Sequence, residues 1–137
     1  MTDFTSEIKT IPYGDGNVFA LLSDLSNLER VRDRIPGDAL RNFAFDRDGC
    51  SFEIDRVGRI EFRIVDREPN RTIKFCTVQS PLPLHLWIQL KPEGETLTKM
   101  KMTLRADLNP FLKPMVSKPM QEAVDRISSL IATLPYE

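Results

Sequence analysis

The sequence predicts an α+β domain in which a curved antiparallel sheet wraps around a long C-terminal helix. Hydrophobic residues alternate with polar ones almost throughout Leu40–Leu108, as they do in β-strands that bury one face. After Asn109-Pro110 they recur at spacings of three and four, as they do along one face of a helix. The chain has 137 residues and no linker-like shift in composition, so a single domain over residues 1–137 is expected.

The N-terminal segment predicts one strand and two short helices. Phe4–Ile11 alternates loosely and is predicted to form the first strand, which Pro12 ends. Apolar residues at helical spacing within Val18–Leu25 indicate the first short helix. The apolar residues of the second, which ends at Pro36-Gly37, are Leu28, Val31 and Ile35.

The central segment predicts a meander of six strands. Clusters rich in Gly, Pro, Asn and Asp separate the alternating runs, so consecutive strands are expected to pair antiparallel through short turns. Each run has one apolar and one polar face, which is typical of a sheet covered on one side only.

The C-terminal segment predicts the helix that covers this sheet. Its apolar stripe runs from Phe111 to Leu134. Pro114 and Pro119 predict a kinked first segment, with a regular helix from about Met120. The stripe and the apolar face of the sheet are therefore expected to share one core.

Three short motifs precede the meander: Ile11-Pro12-Tyr13, Val18–Asp24 and Leu25–Leu28. A Pro-containing turn, a Val-aromatic helix and an Asp-to-Asn turn in this order, with a long closing helix, resemble the helix-grip fold of the START-related SRPBCC superfamily. That superfamily includes polyketide cyclase-like proteins and lipid-transfer domains. Leu28–Val31 stands where many members have a tryptophan. The resemblance implies a cavity between sheet and helix that often holds an apolar ligand, and it carries over no catalytic residue.

The composition argues against several classes of protein. Nineteen Lys and Arg nearly balance 20 Asp and Glu, giving a formal net charge of −1, so no nucleic-acid partner is expected. The two cysteines are too few for a disulfide scaffold, and the N-terminus has no apolar run, which together predict a cytoplasmic protein. No stretch is apolar for long enough to predict stable membrane insertion.

The candidate ligand-binding residues are the apolar side chains expected to face each other across the sheet and the C-terminal helix. Pockets for small apolar molecules have such linings, and methionine suits adaptable surfaces. A plain packed core explains the same pattern equally well. The residues are Phe52, Phe62, Ile64, Phe75, Leu86, Ile88, Met102 and Leu104 on the sheet, with Phe111, Met115, Met120 and Val124 on the helix.

Two polar residues complete this candidate site. If Lys74 faces solvent, Thr77 and Gln79 face the apolar interior, where their side chains need a partner such as water or a ligand head group. The alternative is a bulge near Cys76 that turns Val78 inward and Gln79 outward.

His85 is the single histidine, and it shares a strand face with Trp87, opposite the leucines. It is therefore predicted on the outer face of the sheet rather than in a catalytic dyad. A hairpin centred on Glu93–Glu95 places Trp87 across from Lys101, as a cation–π pair. The outer face is expected to be solvated, with a homodimer that buries Trp87 as the next alternative.

No sequence pattern indicates catalysis or a cofactor. Motifs for nucleophilic serine, zinc, paired thiols and phosphate loops are absent from the sequence, and so are motifs for a flavin. Cys50 is expected to face the core and Cys76 the opposite side, with no indication of an activated thiol. No catalytic residue, metal or cofactor is therefore predicted.

Three functions remain open at this point. The first is binding of a small hydrophobic or amphipathic molecule, as a carrier, sensor or sequestering module. The second is an interaction protein with a filled core that acts through its outer sheet face. The third, with the least support, is a polyketide cyclase- or aromatase-like enzyme. Cavity volume separates the first two, and the oligomeric state is left as monomer or homodimer.

Overall fold

The computed structural model describes residues 1–35, 41–54, 56–78 and 82–136. Eight strands form one antiparallel sheet in the order β1-β8-β7-β6-β5-β4-β3, and β2 also pairs with β8. The strands are β1 (Thr2–Thr5), β2 (Lys9–Ile11), β3 (Arg41–Asp46), β4 (Gly49–Ile54), β5 (Gly58–Glu68), β6 (Thr72–Thr77), β7 (Leu84–Pro92) and β8 (Thr98–Ala106). The helices are α1 (Asp15–Leu22), a 3₁₀ helix (Leu25–Arg34) and α2 (Lys113–Thr133).

The predicted α+β fold class is confirmed, including the two short helices and the six-stranded meander β3–β8. The core lies between the inner face of the sheet and α2. The buried residues of α2 follow one stripe: Val116, Met120, Val124, Ser128 and Ile131.

The predicted first strand is divided into β1 and β2, because one extra residue interrupts its pairing with β8. At the interruption the main-chain N–H of Ser6 donates to the carbonyl of Met102 at 2.9 Å. The main-chain N–H of Met102 donates in turn to Ser6 Oγ, also at 2.9 Å. The serine hydroxyl thus replaces a missing strand carbonyl at a buried position, and the two short strands continue one edge of the sheet.

A second irregularity lies in β5. Ile64 pairs with Phe75 and Asp66 with Lys74, so Val65 is an extra residue on β5 and its side chain is exposed. The alternative of a bulge near Cys76 that turns Val78 inward is therefore wrong, since Val78 is exposed. The inner face of β6 keeps its alternation because the bulge is on the neighbouring strand.

Helix α2 begins earlier and runs more continuously than the prolines predict. The α-helix extends unbroken from Lys113 to Thr133, with Pro114 in its first turn and Pro119 in its interior. Proline is tolerated in a first turn because the N–H groups there have no intrahelical partner. The prediction that the regular helix begins near Met120 is wrong.

Candidate functional site

Most of the predicted binding residues lie in the core between the sheet and α2. Those that are buried there are Phe52, Phe62, Ile64, Phe75, Leu86, Ile88, Met102, Leu104, Met120 and Val124. The aromatic rings form a chain along the inner face, with centroids 5.9 Å apart for Phe52 and Phe62. Phe62 and Phe75 meet at 6.4 Å.

Between these residues, in the described part of the chain, lies a small cavity of about 10 Å³. It is lined by Phe52, Ile54, Phe62, Leu86, Met102, Leu104, Ala123, Val124 and Ile127. Every lining side chain is apolar, and no buried side-chain nitrogen or oxygen among the described residues lacks a hydrogen-bond partner. This volume accommodates about one water molecule, so α2 and the sheet are closed on each other here.

Ile54, Ala123 and Ile127 were missed as candidate residues. Ile54 continues the alternation of Phe52 on β4, and Ile127 lies three residues after Val124 on α2. The strand period of two residues and the helix period of three to four are both visible in the sequence, so Ile54 and Ile127 could have been predicted from it. Ala123, one residue before Val124 on α2, also lines the cavity.

The prediction that Phe111 and Met115 face the sheet is wrong, since their side chains are 86% and 56% exposed. Phe111 precedes α2, in a turn where Asn109 Oδ1 accepts the main-chain N–H groups of Phe111 and Leu112 at 2.9 and 3.0 Å. Met115 lies next to the buried Val116, and one residue step rotates the side chain by about 100° around the helix axis. It therefore points away from the stripe that meets the sheet.

The exposed side chains of Phe111 and Met115 lie at one end of the sheet. Strands β4, β6 and β8 end at this end of the sheet, and β5 and β7 begin there. An open cleft of about 520 Å³ lies between α2 and the β4–β5 turn, lined by Arg56, Pro114, Met115, Lys118, Pro119 and Glu122. We refer to this end as the mouth of the grip.

Thr77 occupies the predicted inner position, opposite Phe62 on β5. Its hydroxyl already has a protein partner, because Oγ1 accepts the main-chain N–H of Leu84 at 3.0 Å. It therefore does not need water or a ligand for its hydrogen bonding. Gln79 lies outside the described residues.

His85 is on the outer face of the sheet, as predicted, and its ring stacks on Trp87 with centroids 6.0 Å apart. The predicted pairing of Trp87 with Lys101 is wrong, since Trp87 lies across from Thr103. The β7–β8 loop begins after Pro92, which pairs with Thr98, and this shifts the register by two residues. The cations over the Trp87 ring are Lys74 at 5.3 Å and Arg105 at 5.2 Å.

The two cysteines lie on opposite faces of the sheet, as predicted. Cys50 pairs with Phe62 on the inner side, and burial together with the charges of Asp46 and Glu61 raises the pKa of its thiol to about 12. Cys76 pairs with His85 on the outer side, with Sγ 3.2 Å from Nδ1. In the ranges that the structure describes, no three His, Cys, Asp or Glu residues converge as metal ligands.

Solved structures superpose on almost the whole chain. A point mutant of norcoclaurine synthase from Thalictrum flavum, in complex with a transition-state analogue, matches with a TM-score of 0.66 at 14% identity, over 95% of this chain and 93% of that one. A START superfamily protein from Mycobacterium smegmatis matches with a TM-score of 0.66 at 14% identity, over 95% and 94%. The protein TTHA0849 from Thermus thermophilus matches with a TM-score of 0.67 at 16% identity, over 96% and 94%.

The chain has the helix-grip fold of START-related proteins. The resemblance predicted from Ile11–Leu28 and the closing helix is thus confirmed at the level of the fold. No family model and no curated protein matches the sequence, and the identities to the solved structures support a likeness of fold alone. Across the described residues, no helix of this grip has the length and apolarity needed to cross a membrane.

Proposed function

We propose that the protein binds a small, mainly apolar molecule between the sheet and α2, as a carrier, sensor or sequestering module. The observation that carries this proposal is the cavity lined entirely by apolar side chains at that interface. Ligand pockets are mostly apolar, with few polar groups, and this cavity lies where the helix-grip fold brings its largest apolar surfaces together. Norcoclaurine synthase, one of the fold neighbours, has been solved in complex with dopamine and hydroxybenzaldehyde.

Binding requires α2 and the sheet to move apart. The cavity of about 10 Å³ is far smaller than the hundreds of Å³ that a small-molecule ligand needs. The mouth is where opening costs least, since Phe111 and Met115 are exposed there and bury little surface against the sheet. Pro119 lacks the N–H that would bond to the carbonyl of Met115, so one hydrogen bond fewer ties the first turns of α2 to the rest of the helix.

Binding is favoured over catalysis by the chemistry of the lining. None of the described side chains that line the cavity can donate, accept or transfer a proton. A cyclase-like enzyme would need at least one polar or ionisable group next to its substrate. Thr77, a polar residue of the predicted site, uses its hydroxyl on Leu84.

A second candidate function rests on the small volume of the same cavity. A protein with a filled core has no need for the grip to open, and it acts through its outer sheet face. The half-buried Trp87, flanked by Lys74 and Arg105, is the largest side chain on that face and the natural centre of a homodimer or adaptor contact. Sedimentation of the wild type and of Trp87→Ser tests it, since a dimer that Trp87 holds together dissociates in the variant.

The deciding experiment for ligand binding combines native mass spectrometry with a probe titration. We expect a reproducible adduct on the freshly purified protein, and saturable binding of the fluorescent fatty acid dansylundecanoic acid. Ala123→Met fills the cavity, and it should weaken probe binding by about tenfold or more, as a misplaced methylene group does in an apolar pocket. The matched control is Ala20→Met, which adds the same atoms to an exposed position of α1 and should leave the affinity unchanged.

Two results would overturn the proposal. If the protein has no adduct and does not bind the probe, the filled-core function takes its place. If the probe binds Ala123→Met and the wild type equally, the probe occupies another surface and the interface between sheet and α2 is not the site.

A further inference from the structure

The outer face of the sheet brings a thiol and an imidazole into contact. Cys76 Sγ lies 3.2 Å from His85 Nδ1, within the reach of a hydrogen bond to sulfur. The contact follows from the β6–β7 register, in which Cys76 and His85 are directly opposite each other on antiparallel strands. Both side chains are half-buried, so the thiol is partly accessible from solvent.

Trp87 holds the imidazole in place. Its ring stacks on that of His85 with an interplanar angle of 27° and centroids 6.0 Å apart. Lys74 and Arg105 in turn sit over the Trp87 ring, at 5.3 and 5.2 Å. A nucleophile, a base beside it and a third group that orients the base are the parts that an activated cysteine requires.

The charges around the pair come from five strands of the sheet. Arg63 on β5 pairs across from Cys76 and is bound to Asp46 on β3, and Arg105 on β8 lies across from His85 and is bound to Asp3 on β1. The remaining charged groups of this part of the outer face are Glu61 and Asp66 on β5 and Lys74 on β6. Lys74 is two residues from Cys76 on the same face of β6, and its ammonium group lies over the Trp87 ring.

We propose that Cys76, with His85 as its base, forms a mixed disulfide with a low-molecular-weight disulfide such as oxidised glutathione. The Cys76 thiol passes its proton to His85 Nδ1, and the thiolate attacks one sulfur of the disulfide. A new S–S bond forms to Cys76 as the original S–S bond breaks, and the second sulfur leaves as a thiolate that takes the proton from His85. Cys76 is oxidised and one half of the small disulfide is reduced to a thiol. The reaction therefore needs no other oxidant, because one disulfide is exchanged for another.

Cys50 is the internal control that the chain provides. It faces the core, and its raised pKa leaves it protonated at neutral pH, so it is expected to be inert toward the same reagent. Cys76 lies on the opposite face of the sheet from the proposed ligand cavity. The proposed modification of Cys76 can therefore be tested independently of ligand binding.

The test treats the full chain with oxidised glutathione at pH 7 and follows it by intact mass and peptide mapping. We expect one glutathione adduct, at Cys76, which Cys50→Ser retains and Cys76→Ser abolishes. His85→Asn keeps a polar group near the position of Nδ1 but removes its basicity, and it should slow the reaction by about tenfold or more. An adduct at Cys50, no adduct at all, or an unchanged rate in His85→Asn overturns the proposal.

A second measurement does not depend on the folding of the His85 variant. In Cys50→Ser, the one remaining thiol should react faster in the native protein than in the same chain unfolded in urea, although unfolding exposes it fully. A thiol without a base reacts faster when it is exposed. A higher rate in urea would therefore contradict the role of His85.

Discussion

The rings of Tyr13 and Tyr136 meet edge to face with centroids 5.8 Å apart, which ties the turn ahead of α1 to the segment that follows α2. Tyr136 is 2% exposed, and its hydroxyl donates to the carbonyl of Ile131 at 2.6 Å. Thr98 at the start of β8 donates to the carbonyl of Tyr13 at 2.8 Å. Leu134 and Tyr136, which follow α2, are therefore part of the core.

Two substitutions of Tyr136 distinguish the contribution of its ring to stability from that of its hydroxyl group. Tyr136→Phe removes one buried hydrogen bond and should lower the free energy of unfolding by about 1 kcal/mol. Tyr136→Ala also removes the ring beside Tyr13 and should cost about 3–5 kcal/mol. Urea denaturation measures both, and equal losses in the two variants would show that the ring does not pack as described.

Alkaline pH should destabilise the protein through two groups. Burial raises the pKa of the Cys50 thiol from 9.0 to about 12, and it raises the pKa of Tyr136 as well. The unfolded chain then releases protons that the native state retains, so stability is full below about pH 9 and falls as the pH rises.

Each group contributes a loss of about 1.4 kcal/mol per pH unit above the pKa that it has in the unfolded chain. Urea denaturation of the wild type and of Cys50→Ala across this range checks the assignment. The variant should lose less stability between about pH 9 and pH 9.5, where most of the tyrosine is still protonated in the unfolded chain as well as in the native protein. Identical pH profiles would show that Cys50 ionises as easily in the native protein as in the unfolded chain.

Ser6→Ala tests the interruption between β1 and β2. The substitution leaves the buried N–H of Met102 without an acceptor and should cost about 1–3 kcal/mol. The matched control is Thr5→Ala, whose exposed hydroxyl should matter by less than about 0.5 kcal/mol. If both variants unfold at the same denaturant concentration as the wild type, the serine hydroxyl does not hold the strand edge.

The two methionines of α2 allow the effect of burial on stability to be compared for the same side chain. Met120 is fully buried whereas Met115 is 56% exposed. Met120→Ala should therefore lower the free energy of unfolding by about 2–5 kcal/mol, and Met115→Ala by less than about 0.5 kcal/mol. Thermal or urea denaturation decides between this arrangement and the one in which both side chains face the sheet, where the losses would be similar.

The sequence alone predicted the order of elements and which face of each strand is apolar. Many buried residues lie at the positions that the hydrophobic period predicts, two residues along a strand and nearly four along the helix. They include Phe52, Phe62, Met102 and Leu104 on the sheet and Met120 on the helix. These positions were predictable because alternation along one strand is a local property that burial on one face imposes on its own residues. His85 and Cys76 were likewise predictable as outer-face residues.

Tertiary structure decided what depends on two segments at once. Three features follow from strand register, which depends on the length of a turn and on the partner strand. They are the contact between Cys76 and His85, the position of Trp87 across from Thr103, and the bulge at Val65. The closure of the cavity to about 10 Å³ depends on how closely α2 packs against the sheet, which the stripe on the helix does not determine. Periodicity belongs to one segment of chain, whereas register and packing volume belong to pairs of them, and the candidate sites of this protein lie between such pairs.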